Sequence, residues 1–375
     1  MTTRLLLTCS LLLSQAAFAA NLEIDLGSAD RVGKLFSYPN CSYNCPAPAN
    51  SLEQTVEHWL GQSVSRDGYT SPVRVFRRDD RLIAELVRDT DPAHPDANKY
   101  PAPDDYRDVV QGYLDVADIG YAKAEELKQT PLWQADWRFF LTLGMAMRNH
   151  ATVQLLHFPP DTVLNDTQDY LSAATTIRWG NLLGFNGVDV RQNALYQTID
   201  DIAPIAAPAN DGSKLDGVYD TFTPYTLALM QRWTAPKPGT TQPRPMVVLG
   251  SPARQWLAKQ FKLGTLKVGD QFTLDLGNNQ KVPVAVGNHP SLIWNAGSDS
   301  QGISIMRQDL TVSCWQAAMG KNPAADGKAT MSSCQQTWQN EVQACRLYYT
   351  SIKNTSYATA VQNCTPATLK RSKKS

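Results

Sequence analysis

Two stretches in the second half of the chain decide the predicted fold. Residues 246–251 read Met-Val-Val-Leu-Gly-Ser, and residues 282–291 read Val-Pro-Val-Ala-Val-Gly-Asn-His-Pro-Ser. The first is a short apolar run that leads through a turn into a helical stretch at 253–261. The second follows another alternating run at 272–276, across a Gly-Asn-Asn turn at 277–279. A strand–helix unit joined to a hairpin predicts an α/β fold.

The rest of the chain adds many helical patterns to this unit. The 375 residues, 42% hydrophobic and 19% charged, exclude a disordered or collagen-like chain. We predict a helix-rich three-layer α/β body over residues 20–300, with a sub-boundary near the Pro-rich stretch 235–245. Within it, periodicity predicts strands at 73–76, 82–87 and 152–156, and helices at 104–128, 132–148, 167–184 (capped by Gly184) and 219–233.

The N-terminus and the cysteine count indicate export. Residues 1–19 contain Arg4, a short apolar run and an Ala-Phe-Ala end, which is the pattern of a cleaved signal peptide. No later segment is apolar for long enough to cross a membrane. An even number of cysteines in an exported protein predicts disulfides. A periplasmic or secreted location follows, with six cysteines in the mature chain: Cys41, Cys45, Cys314, Cys334, Cys345 and Cys364.

The last four cysteines lie in a predicted helical disulfide module over residues 305–375. Cys334 and Cys345 are 11 positions apart, so we place both on one side of one helix, with Cys314 before it and Cys364 after it. Antiparallel packing then favours the pairs Cys314–Cys334 and Cys345–Cys364, although four cysteines allow three connectivities. Cys41 and Cys45 would form a small local loop, since a zinc site would need two further ligands.

Histidine provides the candidate chemistry, because the common hydrolase and phosphate-binding motifs are absent. The chain has no Gly-x-Ser-x-Gly, no His-Glu-x-x-His and no phosphate loop, and it predicts neither a metal nor a cofactor. His289 follows a predicted strand, and residues just beyond strand ends line the ligand sites of α/β folds. The candidate catalytic residues are His289, Asn288, Ser291, His157 and Asp189, and the candidate ligand-binding residues are Gly287, Arg254 and Arg191.

The stretch 246–291 resembles part of the uracil-DNA glycosylase superfamily. In that family a strand like Val-Val-Leu-Gly (247–250) and a helix precede a strand that ends in His-Pro-Ser (289–291). The resemblance implies that His289 stabilises the charge that develops on the base as the glycosidic bond breaks, and that Ser291 contacts phosphate. The family's water-activating loop is absent, since neither Gly-Gln-Asp-Pro-Tyr nor Gly-Glu-x-Pro-Gly occurs.

Charge is distributed unevenly along a chain whose formal net charge is zero. Residues 20–229 contain 17 basic and 29 acidic side chains, whereas residues 230–375 contain 17 and 6. Two interpretations stay open: the basic half binds an anionic ligand or nucleic acid, or the two halves pack together and their charges cancel. The sequence therefore supports two functions. One is binding of an anionic or protein partner, and the other is hydrolase-type catalysis at 288–291.

Overall fold

The computed structural model describes residues 22–35, 51–57, 73–86, 103–140, 151–159, 174–188, 197–237 and 240–372. The predicted signal peptide, Cys41, Cys45, Asp189 and Arg191 lie outside these ranges. The strands are β1 (Leu22–Ser28), β2 (Val73–Arg78), β3 (Arg81–Leu86), β4 (Arg138–Phe139), β5 (Thr152–Leu156), β6 (Gln197–Asp201), β7 (Ile205–Ala206), β8 (Met246–Leu249), β9 (Gln271–Asp275) and β10 (Lys281–Gly287).

Helices fill the intervals between these strands. They are α1 (Ala29–Leu35), α2 (52–57), α3 (Pro103–Lys128), α4 (Ala174–Phe185), α5 (Gly212–Leu215), α6 (Thr223–Trp233), α7 (Ser251–Phe261), α8 (Asp299–Lys321), α9 (Gly327–Thr337), α10 (Glu341–Ser351), α11 (Tyr357–Asn363) and α12 (Pro366–Ser372). Short 3₁₀ helices occupy Tyr219–Phe222 and Leu292–Asn295. In the described residues, no helix has the length and apolarity required to cross a membrane.

A five-stranded sheet forms the centre of the molecule, in the order β6-β5-β8-β10-β9. The first four strands are parallel, and β9 pairs antiparallel with β10 as the predicted hairpin. Every residue of β5 and β8 is buried, as is usual for parallel strands covered on both faces. A second, antiparallel sheet has the order β1-β3-β2 and packs beside α3.

Helices cover both faces of the central sheet, which confirms the predicted three-layer α/β class. From β5 the chain steps to β6 at one edge, and from β6 it returns past β5 to β8 and β10. Right-handed crossovers in opposite directions place α4 on one face and α6 and α7 on the other. α8 packs against α4 on the same face, where the Trp179 indole N–H donates to Gln316 Oε1 at 2.6 Å. On the other face, the Trp256 indole N–H donates to Thr223 Oγ1 at 3.3 Å.

The C-terminal helices form the predicted module, with both favoured disulfides, Cys314–Cys334 and Cys345–Cys364. The placement of Cys334 and Cys345 on one helix was wrong, because they lie on α9 and α10. Asn340 separates these helices, and its side chain accepts a hydrogen bond from the Val342 N–H as an N-cap. The boundary near residue 300 stays a prediction, while α8 itself packs on the central sheet.

The helix predicted over 132–148 is wrong across its described part. Residues 129–137 form turns, and residues 138–139 form β4, which pairs with β7. The apolar spacing reflects core packing and not helical periodicity: Trp137 is fully buried, and its indole N–H donates to Asp211 Oδ2 at 2.9 Å. Gly184 is also not the cap of α4, since the left-handed residue there is Gly187, with φ +79°.

Removal of the Cys345–Cys364 disulfide is expected to lower the free energy of unfolding by about 3 kcal/mol. The bond closes a loop with a sequence separation of 19 and joins α10 to the short helices α11 and α12. Urea unfolding of the Cys345→Ala/Cys364→Ala variant, compared with the oxidised and the reduced parent, measures this loss. An unchanged midpoint in the oxidised variant would show that the C-terminal helices hold their places without the bond.

Candidate active site

The carboxyl ends of three parallel strands meet at one edge of the sheet, and chemically active residues follow each of them. His157 comes after β5, Gly250 after β8, and Asn288 and His289 after β10. The chain leaves the sheet in opposite directions from the neighbouring strands β5 and β8. This makes their ends a topological switch point, where open α/β sheets place their ligands. His157, Asn288 and His289 therefore lie where such folds place their ligands, while their role in a site stays a prediction.

Two of the candidate histidines contact each other at this edge. The His157 and His289 ring centroids are 5.0 Å apart, with the ring planes at 65°. The His157 ring also packs edge-on against Phe158, with centroids 4.7 Å apart. Sequence analysis named both histidines as candidates, and their contact depends on β8 alone separating β5 from β10 in the sheet.

Both imidazoles are neutral at pH 7. Burial, and to a smaller extent the nearby His289, lower the pKa of His157 to about 3. Burial also lowers the pKa of His289 to about 4, with a second contribution from the positive charge of Arg178. At neutral pH the pair offers uncharged hydrogen-bonding groups in a partly dry environment.

The tautomer of His289 follows from its hydrogen bond. The Ser291 backbone N–H donates to His289 Nδ1 at 3.2 Å. A neutral imidazole that accepts at Nδ1 carries its proton on Nε2, so Nε2–H is the group available to donate to a ligand. His157 Nδ1 is buried and has no hydrogen-bond partner in the described part of the chain. The site therefore holds one oriented donor and one unsatisfied ring nitrogen.

Two glycines allow the histidine to reach this position. Gly250 has φ +91° and ψ 163°, a conformation that is essentially restricted to glycine. A Cβ at Gly250 would lie 3.2 Å from His289 Cβ and 3.4 Å from its Cδ2. A Cβ at Gly287 would lie 2.6 Å from Leu249 Cδ2. Packing against β8 therefore requires glycine at 287, and the predicted contact of Gly287 with a ligand stays a prediction.

Asn288 points away from the histidine pair and into α8. Its side-chain amide donates to Asp309 Oδ1 at 2.9 Å and to Gln308 Oε1 at 3.1 Å. Asp309 is only 1% exposed, and burial raises the pKa of its carboxyl to about 7, against the lowering effect of the Asn288 hydrogen bonds. These contacts fix the backbone at the end of β10, so they act on His289 indirectly.

Sequence reasoning missed Arg178 and the acidic pair at the end of β6. The Arg178 guanidinium lies 4.2 Å from the centroid of the exposed Trp294 ring and is close enough to affect His289. Asp200 and Asp201 are buried on β6, the strand beside β5. No strand was predicted there. An acidic pair that ends an otherwise uncharged segment was the available signal.

The remaining candidates contribute less to this arrangement. Ser291 supplies its backbone N–H to His289 and caps the 3₁₀ helix Leu292–Asn295. Arg254 lies in the first turn of α7, half-buried, and its N–H bonds to the Gly250 carbonyl. The described residues contain no group of three or more His, Cys, Asp or Glu side chains suited to a metal ion.

Comparison with known proteins gives no assignment. The chain matches no protein-family model, and no curated protein matches it significantly. The functional argument therefore rests on the geometry of the site.

Proposed function

We propose that this chain is an exported, disulfide-stabilised enzyme of the hydrolase type, with its active site at the carboxyl edge of β5, β8 and β10. The observation that carries the proposal is the contact between two half-buried histidines with lowered pKa values, 5.0 Å apart, at the switch point of a parallel sheet. The signal-like N-terminus and the two disulfides support the exported location.

His289 is the electrophilic residue of the proposed mechanism. Its Nε2–H donates to an oxygen of the leaving group, where negative charge accumulates as the scissile bond breaks. A fixed donor in a water-poor site stabilises such charge without reorganising at the moment of reaction. Asn288 and Asp309 are positioning residues, because they hold the loop that carries His289.

The resemblance of 246–291 to the uracil-DNA glycosylase superfamily suggests the substrate class, an N-glycosidic bond to a nucleobase. The bonding electrons of that bond pass to the departing base, whose carbonyl oxygen accepts the His289 hydrogen bond. Water adds to the anomeric carbon and gives up a proton. Asp201 pairs in register with Leu156, the residue before His157, so it is the carboxylate that the topology brings to this edge, and we assign the proton transfer to it.

The test is cleavage of a uracil-containing single-stranded oligonucleotide by the oxidised protein, followed by strand scission in alkali. We expect His289→Ala to slow base release by about 100-fold or more, the usual effect of removing one such donor. His289→Gln retains an amide donor and should recover part of the rate.

Asn295→Ala is the matched control, because Asn295 is exposed on the adjacent 3₁₀ helix and its side chain has a single hydrogen bond to the residues described, a 3.5 Å one to the Ser291 carbonyl. It should leave the rate unchanged. Absence of base release by the wild-type protein, or equal rates for wild type and His289→Ala, would overturn the proposed reaction.

Binding of an anionic partner by residues 230–375 is the second candidate, and the uneven charge distribution is the observation that favours it. Several of these cations are already engaged within the protein. Lys259 pairs with Asp220, Lys353 pairs with Asp299, and Arg244 is buried. Salt-sensitive binding of the oligonucleotide without base release would favour this candidate over catalysis.

A further inference from the structure

A polar cleft separate from the histidine pair lies between α8, α9 and the turn before β9. Its volume is about 250 Å³. This is slightly below the range of pockets for drug-sized ligands, so a small molecule fits it best. The lining residues are Val268, Gly269, Arg307, Gln308, Thr311, Gln335, Trp338 and Gln339.

Four side chains of the cleft have hydrogen-bond donors with no partner among the residues that the structure describes. The Arg307 guanidinium makes no ion pair or hydrogen bond with any residue that the structure describes. The Gln335 and Gln339 carboxamides likewise bond to no described side chain or backbone group. Among the described residues, Gln308 uses only its side-chain carbonyl oxygen, which accepts from Asn288, so its NH₂ group is available. None of the lining residues is acidic.

The composition of the cleft favours one kind of ligand. One planar guanidinium matches one carboxylate in a two-point contact. Carboxamides both donate and accept, so they suit hydroxyl groups. The backbone offers little to a phosphate, since the Gly269 N–H is already bonded to the Val286 carbonyl. The indole N–H of Trp338 is also used, by Asn186 Oδ1 at 2.9 Å.

We propose that this cleft binds a small carboxylate-bearing polyhydroxy compound, that is, a sugar acid. Arg307 holds the carboxylate, and the carboxamides of Gln308, Gln335 and Gln339 bond the ring hydroxyls. A sugar acid occurs both as a free monosaccharide and as the terminal residue of an acidic polysaccharide. This site is independent of the histidine pair and of the reaction proposed for it.

Calorimetric titration of the oxidised protein with glucuronic acid tests the proposal, with glucose and inorganic phosphate as comparison ligands. We expect glucuronate to bind and glucose to bind at least about tenfold more weakly. Arg307→Gln should lower the affinity for glucuronate by about tenfold or more. Gln335→Leu should also lower the affinity for glucuronate. Lys328→Gln removes one exposed charge from the same helix, α9, outside the cleft, and should leave binding unchanged.

A glucuronate-terminated oligosaccharide distinguishes the two sources. Tighter binding than the monosaccharide identifies a polysaccharide end, and equal binding identifies the free acid; both support the site. Three results would overturn it: no glucuronate binding, equal binding by Arg307→Gln with its fold intact by thermal unfolding, or phosphate binding in preference to glucuronate.

Discussion

Acidification from about pH 6.5 to about pH 4.5 is expected to cost the native protein on the order of 4 kcal/mol through His157 and His289 together. Their pKa values fall from 6.5 in the unfolded chain to about 3 and about 4 in the folded protein. Throughout this pH range the two histidines hold more protons in the unfolded chain than in the native protein, so unfolding becomes more favourable as the pH falls.

The sign follows from the direction of the shifts. A histidine whose folded pKa is depressed contributes its full stability above the unfolded value of 6.5. That contribution is lost as the pH falls toward the folded value. Asp309 acts in the opposite direction, because its pKa is raised to about 7 and its burial favours the protonated form. The histidine contribution must therefore be measured as a difference between variants that share Asp309.

The measurement compares urea unfolding of the wild type with that of His157→Gln/His289→Gln at several pH values. The double variant cannot take up the two protons, so it should lose about 4 kcal/mol less than the wild type on acidification, and each single variant about half of that. Parallel pH profiles for wild type and double variant would show that the half-buried, neutral histidine pair does not exist in solution.

Substitution of Gly250 by alanine is expected to destabilise the protein by about 2–4 kcal/mol and to displace the His289 ring. The backbone at φ +91° and ψ 163° costs an alanine roughly 1–3 kcal/mol. The new methyl group would lie 3.2 Å from His289 Cβ, which adds a steric cost because that atom is close to the backbone.

Gly264→Ala is the matched control. Gly264 also has a positive φ, +71°, but a Cβ there would meet nothing within 4 Å. We expect Gly264→Ala to lower the free energy of unfolding by less than Gly250→Ala does and to leave the pKa of His289 near 4. Gly250→Ala should move that pKa, as read by NMR titration of the ring protons. An equal loss of unfolding free energy in the two variants, with the His289 pKa unchanged, would contradict the packing of His289 on Gly250.

Local patterns were enough to predict four strands of the central sheet, β5, β8, β9 and β10, but neither β6 nor the order of the strands. The alternating valines of β10, the Gly-Asn-Asn turn and the buried run of β8 each have the predicted structure. Prediction was wrong where apolar residues serve the core without regular periodicity. Trp137 and Phe140 have helix-like spacing but lie in turns and beside β4, where a buried hydrogen bond to Asp211 fixes Trp137.

The disulfide pairs illustrate how a correct result can come from a partly wrong premise. Antiparallel packing favoured Cys314–Cys334 and Cys345–Cys364, and both bonds are present. The single helix assumed for Cys334 and Cys345 is broken by the Asn340 cap, a short-range signal that the 11-residue spacing obscured. Each pair therefore joins neighbouring helices in chain order.

The sequence by itself determined the α/β class, the hairpin, the disulfide-bonded helices and the two histidines that follow strands. These properties depend on nearest-neighbour sterics and on which face of each element is apolar. Only the tertiary structure decided that His157 and His289 touch, that Asn288 faces Asp309, and that Arg307 opens onto a polar cleft. Such contacts join residues far apart in the chain, and they depend on the order in which strands pack and on what burial does to the charge of each group.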